Sequence, residues 1–144
     1  AKAPFIKQLM QAVSRRADES GRIRTLGGRV CHFDLWEPTT FGAGMPKPHV
    51  EALKEYGHGI KRAGTYKALN RLIQGSAADM TKLSIIALSE NGIIPHIQIH
   101  DELDVSVEHS EQAKQIVEIM ESAIKLEIPN KVDYECGSNW GDIK

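Results

Sequence analysis

Cysteines and long apolar runs are both scarce in this sequence. Its 144 residues include 2 cysteines, Cys31 and Cys136, with no CxxC pair and no histidine at ligand spacing. Free thiols in a reducing cytoplasm are therefore favoured over a disulfide. No apolar run approaches the roughly 18 residues that a membrane span requires, and the N-terminus is too amphipathic and charged for a signal peptide. We therefore expect one domain, long enough for a real core, without a membrane partner.

Net charge is nearly absent as well, but the charged residues are unevenly distributed. The formal net charge is −1. Residues 1–82 carry 14 lysines and arginines against 7 acidic residues, whereas residues 101–144 carry 4 basic residues against 11 acidic ones. A basic part of this kind can follow a polyanion, and an acidic part stays away from phosphates or holds metal ions. Solvated helix faces that happen to differ in charge explain the same counts.

Two adjacent acidic residues, Asp101 and Glu102, lie between segments in which apolar and polar residues alternate. This period of two on both sides predicts a hairpin whose tight turn carries the two carboxylates. Ile97 and Ile99 are expected to face the helices, so that the polar residues between them face the open side. Carboxylates at such a tip can share a divalent cation. The hairpin is therefore the candidate metal site of this chain.

The longest helix is predicted over about residues 65–90, where apolar residues recur three and four positions apart until Asn91. In its first half, Asn70 and Gln74 precede a group of small residues, 75–78. Small residues permit a close approach, and amide side chains can donate to the purine N3 and pyrimidine O2 acceptors of a DNA minor groove. A helix–helix crossing with two surface amides explains the same residues.

The remaining pattern places helices before and after short strands. Helices are predicted over 4–21 and 110–126, with Ser110 as N-cap of the second, a hairpin over 22–33 and a last strand over 131–136. Residues 34–64 form a long connection, mobile or ordered by a partner, with a short helix near 49–56. This order indicates an α+β fold, an antiparallel sheet covered on one face by helices.

Four segments of the chain carry a resemblance. They are residues 22–29 (RIRTLGGR), 69–79 (LNRLIQGSAAD), 98–103 (QIHDEL) and 137–140 (GSNW). In order and spacing they resemble family A DNA polymerases of the DNA polymerase I type, namely the TLDGR turn, the helix before the palm hairpin, the third conserved motif and the C-terminal GxNW. The resemblance implies a palm-type antiparallel sheet with a catalytic hairpin, and it makes residues 1–144 the C-terminal part of a polymerase palm domain.

Several departures from the family pattern resemble bacteriophage members more than cellular ones. Gly27 stands where the family has an aspartate, and Tyr66 stands where the bacterial enzymes have an arginine. The family's final histidine is missing, and the connection over 34–64 is longer than in the bacterial enzyme. No segment resembles the fingers helices, the first palm motif with its metal-binding aspartate, or an exonuclease domain. We therefore expect those parts to be absent from this chain.

The resemblance implies a site built around Asp101, which matches a metal ligand of the family, with Glu102 as an auxiliary acidic group beside the metal. Two Mg²⁺ ions serve nucleotidyl transfer in this family, and the second aspartate ligand is not on this chain. The implied DNA contacts are His100 and Gln98 at the primer end and neighbouring minor groove, Asn70 and Gln74 at the minor groove of the nascent pair and its template partner, and Arg29 at a backbone phosphate. Each of three residues also has an alternative interpretation. His100 is then a strand histidine with satisfied hydrogen bonds, Glu102 a solvated turn residue, and Arg29 a surface charge.

The chain is thus expected to be part of a DNA-directed DNA polymerase that adds dNTPs to a primer 3′ end, incomplete by itself. Its expected partners are primer–template DNA, dNTPs and the remaining polymerase segment or a split-gene partner. The cytoplasm is the expected location, that of the host if the protein is viral. The alternative is a non-catalytic DNA-binding or assembly module of a split polymerase, which keeps the palm residues as part of its fold.

Overall fold

The computed structural model describes residues 5–40 and 42–143. They form seven short strands, four α-helices and two single turns of 3-10 helix, at Thr65–Lys67 and Trp140–Asp142. The helices are α1 (Phe5–Ser20), α2 (His49–Tyr56), α3 (Ala68–Glu90) and α4 (Ser110–Ser122). The strands are β1 (Arg22–Arg24), β2 (Val30–His32), β3 (Leu35–Pro38), β4 (Lys47–Pro48), β5 (Ile60–Arg62), β6 (Ile97–Ile99) and β7 (Glu102–Asp104). The chain divides into two units, residues 1–76 and 77–144, and the division falls within α3. None of the described helices is both long enough and apolar enough to cross a membrane.

The first unit has a small core formed by α1, the β1–β2 hairpin and the start of α3. Ala17, Ile23, Phe33 and Ala68 are its buried members. The hairpin predicted over 22–33 is confirmed, since β1 and β2 pair antiparallel. The apolar stripe of α1 is buried only toward its C-terminal end: Ala17 is buried, whereas Leu9 is 44% exposed. The start predicted at Pro4 lies outside the described residues.

The segment over 34–64 contains structure of its own. Strand β3 lies between β4 and β5 in a three-stranded antiparallel sheet, and the short helix predicted near 49–56 is α2. The Trp36 ring lies 4.6 Å from the His49 ring, and the guanidinium carbon of Arg62 lies 4.7 Å from the Trp36 ring centre. The sequence predicted only the helix, because strands of two to four residues with Pro and Gly between them show no clear period.

The second unit combines the C-terminal part of α3 with the β6–β7 hairpin and α4. Helix α3 ends as predicted, because Gly92 has a φ of 77° and the Ile93 amide donates to the Leu88 carbonyl. The buried stripe of α4 is formed by Ala113 and Ile116. Ser110 is the first residue of α4, not its N-cap; His109 holds that position and makes no side-chain capping bond. The helix ends at Ser122, one turn earlier than predicted.

The sheet arrangement differs from the prediction. The described residues form separate sheets of two, three and two strands in place of one palm-type sheet. The strand predicted over 131–136 is wrong, because those residues form no regular secondary structure and pair with none of the described strands. Ile97 and Ile99 are 41% and 39% exposed, so the predicted helix cover on that side of the hairpin is only partial. Cys31 and Cys136 are both free thiols, as predicted.

Candidate functional site

The acidic hairpin consists of β6 and β7 joined by a two-residue turn. Ile99 pairs with Glu102, so His100 and Asp101 form the turn. His100 has a φ of 54°, in the left-handed region that few non-glycine residues adopt. The side-chain Nε2 of Gln98 donates a hydrogen bond of 3.0 Å to the His100 carbonyl oxygen. The backbone that carries Asp101 is therefore held by a side chain of the neighbouring strand.

Further hydrogen bonds extend the hairpin beyond its paired strands. The His96 amide donates to the Asp104 carbonyl at 2.8 Å, and His96 Nε2 lies 2.9 Å from Ser106 Oγ. The sequence pattern alone gives His96 and Ser106 no role beyond their places in the alternation. A two-residue turn sets a register that brings residues 96 and 106 close together, so the turn length was the available signal.

The two carboxylates of the hairpin tip, Asp101 and Glu102, are exposed and line an open cleft of about 1050 Å³ in the second unit. Thr81 and Ser84 of α3 and Ile116 of α4 contribute to the same cleft. Carboxylate oxygens are preferred ligands of Mg²⁺, so the donor chemistry fits a divalent cation. Within residues 5–40 and 42–143, no group of three His, Cys, Asp or Glu side chains could hold a metal ion. The carboxylates of Asp101 and Glu102 therefore supply only part of the ligands that a divalent cation needs.

The two amide residues predicted to contact DNA lie on α3, one helical turn apart. Asn70 and Gln74 are both exposed, and residues four positions apart lie on the same face of a helix. The two side chains thus form one exposed polar strip on α3. Because both are exposed, a DNA groove could contact them without displacing buried residues of the helix. Their contact with DNA stays a prediction.

The small residues beside Gln74 lie against the β1–β2 turn of the first unit. A Cβ atom at Gly75 would lie 2.8 Å from Thr25 Cγ2, closer than such atoms approach one another. Ser76 Oγ accepts a hydrogen bond of 3.1 Å from the Leu26 amide. The close approach that these small residues predicted is therefore made by a hairpin turn of the same chain. The approaching group is neither DNA nor a second helix, the two alternatives that the sequence left open.

Arg29 connects the same turn to helix α3. Its Nη2 donates a hydrogen bond of 2.7 Å to the Gly75 carbonyl oxygen, and its own carbonyl accepts from the Thr25 amide at 2.9 Å. The bond to Gly75 has a charged donor, and such bonds are stronger than those between neutral groups. Arg29 therefore has a structural role, which is to connect the β1–β2 turn to α3. Its contact with a phosphate stays a prediction.

The structure places the predicted site residues in two groups. The first unit holds Arg29, Asn70 and Gln74, and the second unit holds Gln98, His100, Asp101 and Glu102. In the second group the residues share a single hairpin. In the first group the guanidinium of Arg29 reaches the helix residue that follows Gln74.

Comparisons with known proteins place the chain in one family. The model of DNA polymerase family A matches residues 1–142. The DNA-directed DNA polymerase of Pseudomonas phage M6 is 41% identical over 140 residues, which are 97% of this chain and 18% of the phage protein. DNA polymerase I of Geobacillus stearothermophilus is 30% identical over 153 residues, which cover 100% of this chain and 16% of that enzyme. The chain thus spans less than one fifth of these relatives.

A solved structure gives the same result. The chain is similar to the POL domain of Pol1 from M. smegmatis, solved in complex with DNA primer-template and dNTP, with a TM-score of 0.57 and 26% identity. The match covers 86% of this chain and 20% of that one. The identity of 41% to the phage protein, against 30% to the Geobacillus enzyme, agrees with the predicted resemblance to bacteriophage members. This chain belongs to DNA polymerase family A.

Proposed function

We propose that this chain supplies the Asp101-bearing part of a DNA-directed DNA polymerase, which adds dNTPs to the 3′ end of a primer. The observation that carries the proposal is the β6–β7 hairpin, which presents Asp101 and Glu102 side by side at an exposed turn over an open cleft. Membership of DNA polymerase family A supports it, as does the similarity to a domain solved with primer-template and dNTP.

In this proposal Asp101 holds a divalent metal and Glu102 adds negative charge beside it. Two Mg²⁺ ions, when bound in a complete site, lower the pKa of the primer 3′-hydroxyl and neutralise the leaving pyrophosphate. An aspartate from another polymerase segment is needed for the pair of ions. Gln98 fixes the turn through the His100 carbonyl, which keeps the Asp101 carboxylate at the hairpin tip. His100, next to it, contacts the primer end.

The first unit supplies DNA contacts in the same proposal. Asn70 and Gln74 donate from one helix face to minor-groove acceptors that all base pairs share, so they read shape and not sequence. Arg29 adds a weaker contact to a backbone phosphate, since its guanidinium also donates to the Gly75 carbonyl. The excess of basic residues over 1–82 favours binding of this part to DNA.

A chimeric polymerase tests the proposal. This chain replaces the matching 140 residues of the Pseudomonas phage M6 polymerase, and primer extension is measured with Mg²⁺ and dNTPs. We expect synthesis by the chimera, loss of synthesis in Asp101→Asn with primer–template affinity kept, and full synthesis in the exposed-aspartate control Asp18→Asn. Unchanged synthesis in Asp101→Asn would refute the assignment and favour a non-catalytic DNA-binding or assembly module.

The isolated chain provides the second part of the test. Because its carboxylates fit only part of a metal site, we expect no primer extension by the 144-residue chain alone. Synthesis should require a polymerase segment that carries the second aspartate, covalently joined or added in trans. Robust synthesis by the purified chain without such a segment would contradict the proposed need for a partner.

A further inference from the structure

The acidic hairpin is short for a structure that carries the proposed metal ligand. Strands β6 and β7 have 3 residues each and form a sheet that is separate from the other described strands. A hairpin of two strands is only marginally stable in water by itself. The left-handed backbone of His100 in its turn adds a further cost in free energy. Contacts outside the short ladder therefore decide how firmly the tip is held.

One such contact lies at the open end of the hairpin and is made by the backbone of His96. Its amide donates to the Asp104 carbonyl at 2.8 Å. The ladder pairs Ile97 with Asp104, so a regular continuation would place residue 96 opposite residue 105. The bond to Asp104 places two residues, 96 and 97, against one, as in a β-bulge. Bulges are frequent beside active sites, where they change the direction of a side chain.

A second contact joins the side chains of His96 and Ser106. His96 Nε2 lies 2.9 Å from Ser106 Oγ, which is hydrogen-bond distance. Either group can be the donor, because a neutral imidazole nitrogen donates or accepts according to its tautomer and a hydroxyl does both. Ser106 lies two residues beyond the end of β7. This bond therefore joins two segments that the strand ladder no longer holds together.

These contacts close a loop of the chain that has Asp101 at its centre. Asp101 lies five residues from His96 and five from Ser106, and all three residues line the same open cleft. The bond from Gln98 to the His100 carbonyl holds the turn end of this loop. The bond between His96 and Ser106 holds the opposite end. Side-chain hydrogen bonds thus fix the hairpin at both ends.

We propose that His96 and Ser106 are positioning residues for Asp101, and that their hydrogen bond keeps its carboxylate in the direction in which it binds Mg²⁺. This inference rests on the proposed function, which makes Asp101 a metal ligand. Neither residue contacts metal or substrate; both act through the backbone of the hairpin. A ligand whose supporting hydrogen bonds already hold it in the bound geometry binds metal more tightly. The alternative is a surface bond that holds the open end without any effect at the tip.

Amide hydrogen exchange in the full 144-residue chain tests this transmission without metal or DNA. Ser106→Ala removes only the hydroxyl, and amides of the β6–β7 ladder and turn should then exchange roughly 2- to 12-fold faster, the range for one hydrogen bond between uncharged groups. Amides of α4 should exchange at unchanged rates. Ser106→Thr keeps the hydroxyl and suits extended backbone, so it should exchange like the original chain. Faster exchange confined to residues 104–106 would indicate the surface bond and overturn the proposal.

The Mg²⁺ dependence of primer extension tests the direction of the carboxylate in a complete site. In the chimeric phage polymerase, Ser106→Ala and His96→Leu should each raise the half-saturating Mg²⁺ concentration roughly 2- to 12-fold, with primer–template affinity unchanged. The double variant should show the rise of one single variant, because both changes remove the same bond. Ser106→Thr should restore the original dependence. The control Ser89→Ala, at an exposed serine of α3, should leave it unchanged.

Two results of the Mg²⁺ titration would overturn the proposal. One is an unchanged half-saturating concentration in Ser106→Ala while Asp101→Asn is inactive. The other is a double variant in which the two single effects multiply, because residues 96 and 106 would then act independently. Circular dichroism of each variant checks that the fold is kept. The proposed polymerase function fails by a different result, unchanged synthesis in Asp101→Asn.

Discussion

The contact between Gly75 and Thr25 yields a stability prediction that depends on two methyl-sized groups. A Cβ atom at position 75 would meet Thr25 Cγ2 at 2.8 Å. Thr25 is buried, and its Oγ1 and amide both bond to the Arg29 carbonyl, so the residue has little room to move away. Gly75→Ala should therefore strain the β1–β2 turn against α3.

The magnitude follows from two opposing effects. Alanine is favoured over glycine inside a helix by about 1 kcal/mol, whereas forcing an extra methyl group into packed surroundings costs about 1–3 kcal/mol. Gly75→Ala alone should thus lower the free energy of unfolding by zero to about 2 kcal/mol. Thr25→Ser removes Cγ2 but keeps the hydroxyl, so in that background the same change should raise the free energy of unfolding by about 1 kcal/mol.

Urea unfolding of the four proteins in this double-mutant cycle measures the coupling between the two positions. We expect a coupling free energy of about 1–3 kcal/mol, with the double variant more stable than the sum of the single changes predicts. An equal effect of Gly75→Ala in both backgrounds would refute the packing explanation for the small residues. It would also reopen the possibility that they serve an approaching ligand.

Three further predictions concern single contacts. Ser76→Ala leaves the Leu26 amide of the β1–β2 turn without its acceptor and should lower the free energy of unfolding by about 1–2 kcal/mol. The control Ser89→Ala, at an exposed position of the same helix, should change this free energy little. Equal losses of stability in the two variants would contradict the role of the Ser76 hydroxyl. A hydrogen bond from Lys47 holds the pKa of Glu55 below its ordinary value, so this pair stabilises the fold above the ordinary carboxyl pKa, and the effect is lost as pH falls through the lowered pKa. NMR titration should find a higher Glu55 pKa in Lys47→Met, and an unchanged pKa would disprove the coupling. His100→Gly relieves a left-handed backbone and should raise the free energy of unfolding by zero to about 1 kcal/mol; a lower urea midpoint would count against strain at the turn.

Helices and turns of this chain could be predicted from local signals. The short helix at His49–Tyr56 and the end of α3 at Gly92 follow from spacing, proline and glycine, all within a few residues. The hairpin around Asp101 follows from alternation on both sides of a short turn. The acidic tip of the candidate site was therefore predictable without any tertiary information.

Elements that depend on distant partners could not be predicted. Residues 131–136 alternate like a strand, but a strand also needs a hydrogen-bonded neighbour, which alternation cannot supply. The small residues at 75 and 76 indicated a close approach, yet the approaching group, Thr25, lies 50 positions away. The bond between Gln98 and the His100 carbonyl depends on the turn conformation. The sequence therefore predicted only a DNA contact for Gln98 and not its role in positioning the turn.

Primer extension by the chimeric phage polymerase with Asp101→Asn is the most direct test of the proposed function. The variant should bind primer–template DNA as the unmodified chimera does, while its rate of nucleotide addition with Mg²⁺ falls by roughly 10²- to 10³-fold or more. The same rate in both proteins would contradict the account, because Asp101 would then hold no metal that the reaction needs.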